Sequence, residues 1–210
     1  MPAIVAQAAA VAEHDHRGII AYRIHQVGAM DGGPIHHRTD VLMMVIADGE
    51  KIVRVRVLRF QEDGSEQSDE RKAQLATDLL AGQAGGGFAV PFDRRHLAEY
   101  SYARANDSVA FNSRVRDADH GDGSFQVDGG GHVTRMTYVP DALPKFATTG
   151  RVIVERAEAL PGFWATLRSQ STFSGSILLI RGTASTVTEM DDYRRFATLA
   201  DAERTLNANR

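Results

Sequence analysis

Hydrophobic and polar residues alternate over much of this chain. From Gly18 to Gly28, Ile20, Tyr22 and Ile24 fall on one side of an extended segment, with Ala21, Arg23 and His25 on the other. Ala29 to Pro34 predicts a turn, with Gly32 and Gly33 free to take positive φ. A second strand is predicted from about Ile35 to Ala47. A third runs from Glu50 to Phe60, where Val53, Val55 and Val57 alternate with Arg54 and Arg56. Asp48-Gly49 suits a two-residue type I′ hairpin turn between them. The second strand breaks the alternation. Val41 to Ala47 is apolar at every position, so both of its faces need an apolar partner.

Residues 61–99 interrupt the strands with a helical, glycine-rich insertion. Ser68 is placed to cap a helix whose apolar stripe is Leu75, Ala76, Leu79 and Leu80, and Gly82 is a natural stop. Gly85, Gly86 and Gly87 then form a hinge before Pro91. A helix delivered on such a loop has the form of a lid or plug, and equally that of a surface crossover.

Strands resume at Tyr100 to Arg104 and Val109 to Val115. A hairpin around Gly129-Gly130-Gly131 pairs Phe125 and Val127 with Val133 to Val139. Further strands are predicted at Phe146 to Ala159, Gly162 to Ser171, Ser176 to Arg181 and Ser185 to Phe196. Thr198-Leu199-Ala200-Asp201 begins a short C-terminal helix with a capping box. At the other end, residues 1–17 read as an alanine-rich helix or as the remnant of a secretory signal. Ala10-Val11-Ala12 resembles a signal-peptidase site, but no basic segment precedes it and the apolar run is too short to span a bilayer. The pattern is mainly β (α+β): about eleven strands and three helices in one domain, residues 1–210.

Composition narrows the chemistry. A net charge of -3 supplies no basic field for nucleic acid and no polybasic patch for a membrane surface. The absence of cysteine excludes disulfides, thiolate metal sites and cysteine nucleophiles. His14 and His16 are spaced H-x-H near the chain start, and the adjacent His36 and His37 point to opposite faces of a strand, so no metal site is expected. Asp117, Asp119, Asp122 and Asp128 lie on a glycine-containing turn that reads as a calcium loop or a solvated acidic turn. The spacing departs from the EF-hand, since Gly121 is fifth and Asp122 occupies the sixth place. No nucleophile elbow, phosphate loop, dinucleotide fingerprint or H-E-x-x-H pair occurs. No catalytic residue and no cofactor is expected.

The order of elements, with "YSYAR…SVAFNSRV…GSFQVDGGGHVTRMTYVPDALP" and the closing "DDYRRF", resembles the bacterial lipoprotein-carrier superfamily of the LolA and LolB types. The resemblance implies an eleven-stranded, antiparallel half-open barrel with helices plugging its concave side. It also implies an exported or periplasmic protein that binds an amphiphile, lipid or acylated protein, without catalysis. The alternative is a structural or interaction protein of the envelope whose cavity is filled by its own helices. Under a type I′ pairing, Val41, Met43 and Val45 share a face with Arg54 and Arg56, while Leu42 and Met44 share one with Val53 and Val55. The expected wall of the cavity is therefore Val41, Met43 and Val45, with Arg54 and Arg56 at its rim to hold a headgroup. Leu75, Leu79 and Leu80 are the expected inner face of the lid, and the N-terminal helix is expected on the sheet's other side.

Overall fold

The computed structural model describes residues 1–15, 18–49, 51–82, 88–106, 108–177 and 180–208. Helix α1 spans Ala3–Asp15. It leads into β1 (Ile19–Gly32), β2 (Ile35–Asp48), β3 (Lys51–Glu62) and the two-residue β4 (Ser65–Glu66). Helix α2 (Asp69–Gly82) follows, then β5 (Tyr100–Ala105), β6 (Ser108–Ser113), β7 (Gly121–Val127) and β8 (Val133–Pro140). The long strands β9 (Ala147–Leu160), β10 (Phe163–Ile177) and β11 (Ile180–Phe196) precede helix α3 (Leu199–Ala208). All eleven strands form one antiparallel sheet in the order β4-β3-β2-β1-β11-β10-β9-β8-β7-β6-β5. Its two edges, β4 and β5, do not meet, so the barrel stays half open.

Both predicted helix caps form. The Ser68 hydroxyl accepts the Arg71 amide at 3.3 Å, and the Thr198 hydroxyl accepts the Asp201 amide at 3.2 Å. The number of strands agrees with expectation, although two of the pieces differ. Ser176 to Arg181 is not a strand of its own, because β10 runs on to Ile177 and β11 begins at Ile180. The eleventh strand is instead β4, too short for any hydrophobic period to mark. The expected turn at Ala29 to Pro34 shrinks to Gly33-Pro34, since β1 pairs with β2 out to Gly32↔Ile35.

The central hairpin turn also lies one residue further on than Asp48-Gly49. Asp48 pairs with Lys51, which makes Gly49 the first residue of the loop. Gly49 has φ of 62°, and its amide donates to the Gly18 carbonyl at 3.0 Å. Two register shifts in β3 lie opposite Leu42/Met43 and Ile46/Ala47. They decide which side chains of β3 face which helix.

The helices divide the sheet into two faces. Val154, Ser169, Thr188, Gln26 and Val41 lie directly opposite one another across β9, β10, β11, β1 and β2, and so share a face. Val154 packs into the cluster beneath α1, and Val41 into the cluster beneath α2. Both helices therefore lie on one face, here termed the inner face. The opposite face carries α3, packed on Ala21, Met44 and Ile46. The N-terminal helix does not sit on the sheet's other side as expected. Its small residues Val5, Ala8 and Ala12 press into the aromatic core of the β5–β9 half, built on Phe92, Tyr100, Phe111 and Phe125. A helix reads correctly over residues 3–15, and cleavage after Ala12 would delete part of that core.

Candidate functional site

Strand β2 is apolar on both faces because a different helix covers each. Val41, Met43 and Val45 point towards α2, together with Ile24 of β1 and Phe60 of β3. Met44 and Ile46 point the other way, towards Ala202 and Leu206 of α3. Alternation is absent from this stretch because no side of it meets water.

The wall beneath α2 is buried, with Val45 0% and Met43 3% exposed, but the helix that covers it buries nothing completely. Only Leu75 and Leu79 pack on the wall, each half-buried. Leu80, the third expected lid contact, is turned outward and exposed. Ion pairs from Lys72 to Glu66 at 2.6 Å and from Arg71 to Glu62 at 3.7 Å tie the start of the helix to the end of β3 and to β4. Pairs with such exposed members contribute little. The expected hinge, Gly85 to Gly87, lies outside the described residues.

Arg54 and Arg56 are not on this wall. In the observed register Ile46 faces Arg54 and Met44 faces Arg56, while Val45 and Met43 face Val55 and Val57. Moving the turn on by one residue leaves the two faces of β3 unchanged; the register shift between Ile46 and Ala47 is an odd slip and exchanges them in a strand of period two. The arginines fasten α3 instead. Arg54 Nε meets Glu203 Oε1 at 2.7 Å, and Arg56 donates to the Leu206 carbonyl at 2.8 Å. That carbonyl belongs to the last turn of a helix, where a cation satisfies an orphan acceptor. These residues are unavailable to hold a headgroup over Val41, Met43 and Val45.

Along the same inner face, sequence reasoning missed a group of aromatic residues. Tyr22 stacks on Tyr193 with ring centroids 5.1 Å apart, and Phe163 lies 6.0 Å from Tyr193. A bulge at Asp192, with φ of 53°, brings Tyr193 beside Tyr22. Burial pushes the Tyr22 phenol up to about 12 and the Tyr193 phenol further still. Beyond them the floor changes character: Ser169, Ser171, Thr186, Thr188 and Gln26 occupy the middle strands, all half-buried. The spacing of Ser169 with Ser171 and of Thr186 with Thr188 was the available signal, since residues two apart share a face. A separate cleft of about 450 Å³ opens at the far hairpin tips, lined by Asp31, Ser174, Ser176, Arg181 and Thr183. Its lining side chains are polar, and none of the wall residues reaches it.

The acidic turn does not assemble a cation site. The Asp117 carboxylate binds His120 Nδ1 at 2.6 Å and accepts the Asp119 amide. Asp122 accepts the Ser113 amide and pairs with Arg116, and Asp128 caps the amides of Gly130 and His132. Among the described residues no three metal-binding side chains converge. His36 and His37 diverge, to Asp31 and Asp63 respectively. The side chains of His14 and His16 lie outside the described residues.

His120 is buried, and its other ring nitrogen meets Glu99 at 3.0 Å; the same carboxylate also holds His96 at 2.7 Å. Burial works against the charged ring, but the hydrogen bonds and charges of Asp117 and Glu99 outweigh it and raise its pKa. The bonds to His120 hold both carboxyls below their ordinary range. This group ties the start of β5 to the loop before β7. With both nitrogens engaged, the imidazole has no free position from which to take a proton from a substrate.

No family model matches the sequence, and no curated protein matches it. Among solved structures, the chain is similar to a domain from Vibrio parahaemolyticus assigned to outer-membrane lipoprotein sorting. That alignment covers 98% of this chain and 96% of the other, at 11% identity and a TM-score of 0.48. A DUF1329 family protein from Desulfovibrio piger aligns over 95% of both chains, at 10% identity and a TM-score of 0.43. A structure of lipovitellin, solved for its lipid–protein interactions, aligns over 88% of this chain at 9% identity and a TM-score of 0.41. The chain spans only 26% of the lipovitellin chain's length. At these identities the likeness is one of strand arrangement and carries nothing about chemistry.

Proposed function

We propose that the protein binds an amphiphile, a lipid or the acyl part of an acylated protein, on the inner face beneath α2, and does no chemistry on it. One observation carries this reading: a buried apolar wall is covered by a helix that has no buried side chain of its own. Complete burial of a leucine stabilises by roughly 1.5–3 kcal/mol, so two half-buried leucines hold α2 closed by about the same total. An acyl chain laid on Val41, Met43, Val45 and the neighbouring Ile24 and Phe60 would replace those contacts at little net cost. Met43 and Met190, both packed in this cluster, suit a wall that must accept irregular shapes. Among the described residues no helix is long and apolar enough to cross a membrane. Placement in the periplasm or another exported compartment belongs to the same proposal and rests on the resemblance in element order. Fractionation of cells making the full reading frame tests it, and product found only in the cytoplasm would refute it.

The test of binding is Leu79→Ala with a fluorescent fatty-acid probe. The variant is expected to stay folded, lose less than about 2 kcal/mol, and take up probe more readily than the parent. A loss of about 2–5 kcal/mol without probe uptake would mean that α2 is an ordinary core helix. The protein would then be a self-plugged structural or interaction module.

A further inference from the structure

The inner face between its two helices is lined by hydrogen-bonding groups that the protein itself does not use. In one row across the sheet, Ser169 of β10 faces Thr188 of β11, which faces Gln26 of β1. In the next row Ser171 faces Thr186, then Gly28 and Thr39 of β2. The six polar side chains are half-buried, and among the described residues none makes a side-chain hydrogen bond to the protein. On the opposite face at the same level several polar groups pair with each other: Arg135 with Glu155 at 2.9 Å, and Asp40 with both Arg59 at 2.7 Å and His25 at 3.1 Å.

The patch is also free of charge. The nearest ionic side chains on this face are engaged elsewhere. Arg156 lies over the Phe92 ring at 5.6 Å and donates to the Trp164 carbonyl at 3.2 Å. Arg195 lies over Phe163, and Glu62 meets Arg71. An anionic headgroup placed here would lose water and gain no counter-charge, which is costly. A hydroxylated, uncharged headgroup would exchange water for hydroxyls that both donate and accept. Gln26 adjoins Val41 across the β1–β2 pair, so the polar patch begins where the apolar wall ends. Strands are spaced about 4.8 Å apart, making the patch about 10 Å wide from Gln26 to Ser169, enough for two linked hexose rings.

From this juxtaposition we infer that the preferred ligand is an amphiphile with an uncharged, polyhydroxylated headgroup. Its chain lies beneath α2 and its headgroup over Ser169, Ser171, Thr186, Thr188 and Gln26. The inference rests on the proposed binding site and adds the chemistry of the headgroup. Dodecyl maltoside and dodecanoate, which have chains of the same length, are compared by calorimetric titration below their micellar concentrations. Dodecyl maltoside is expected to bind about tenfold more tightly, the worth of one or two net hydrogen bonds. The Ser169→Ala/Thr188→Val double variant should abolish that advantage while leaving dodecanoate affinity unchanged, and Thr188→Lys should reverse it. Equal or tighter binding of dodecanoate by the parent, or a double variant that keeps the maltoside preference, overturns the headgroup assignment while the site under α2 stands. Binding of neither compound overturns both readings.

Discussion

Helices α1 and α2 lie on the same face of one sheet and are held in opposite ways. α1 presents Val5, Ala8 and Ala12, all buried, to a cluster containing four buried aromatic rings. α2 presents two half-buried leucines to a wall of aliphatic residues, methionines and Phe60, and most of its charged residues are exposed. Small residues let a helix come close enough to fill the gaps between rings, so α1 belongs to the core. Two half-buried leucines give α2 a shallow footing. The lesson is that a cover and a core element can share one layer, and that the depth of burial in the helix, more than in the sheet beneath it, distinguishes them.

Four experiments bear on that contrast. The largest effect is expected on the α1 side: Phe111→Ala should cost about 3–5 kcal/mol in urea unfolding, because the ring is fully buried and neighbours cannot collapse onto the void. A loss under about 1 kcal/mol would place the core elsewhere. On the α2 side, Gly49→Val should cost roughly 1–3 kcal/mol, since a β-branched residue resists the positive φ found there. An unchanged unfolding midpoint would contradict the observed turn.

The third experiment compares the two covers directly. The chain has no cysteine, so single substitutions report cleanly. Val45 lies beneath α2 and Val109 beneath α1, and both are 0% exposed. A thiol at Val45→Cys should react at least about tenfold faster than one at Val109→Cys, as local opening of α2 costs less than opening the core. Equal rates would erase the distinction.

The smallest effect concerns pH and acts only on the α1 side. His120 has a raised pKa in the folded protein, so its contribution is complete below the ordinary histidine value of about 6.5 and is lost as pH rises through the raised one. Asp117 and Glu99 have lowered values, so theirs is present above about 4 and lost as pH falls through the folded values. The parent should therefore unfold more easily at about pH 9 than at about pH 6. His120→Gln should flatten that slope without changing the Val45→Cys labelling rate. A slope that persists in the variant would assign it to other groups.

Much of this architecture is legible in the amino-acid sequence. Long alternating runs, two capped helices and the insertion after the third strand are local signals, and local chemistry decides them. What escapes lies one residue away. Composition marks the hairpin turn, yet the one-residue register shift between Ile46 and Ala47, which no local pattern announces, moves Arg54 and Arg56 to the opposite face of the sheet. The wall of Val41, Met43 and Val45 is legible as apolar, but which helix covers each side is not, because α3 arrives from the far end of the chain. The Ser/Thr patch shows in the sequence only as a spacing of two within β10 and within β11, for the same reason. β10 and β11 contribute only two small polar residues each, and their meaning comes from a register between strands that no single segment contains.

That dependence on distant partners has a consequence for synthesis. β1 is made long before β11, its neighbour on one side; the Arg23–Asp191 pair joins positions 168 residues apart. Until residues 180–206 have emerged, β2 has its Met44 and Ile46 side bare, and β1 has an unpaired edge. Contacts this remote in sequence slow folding, and a nascent meander sticky on both sides invites association with other chains. The β1–β3 meander is thus the region most in need of chaperone protection during translation, and removal of the C-terminal helix should return it to that exposed state.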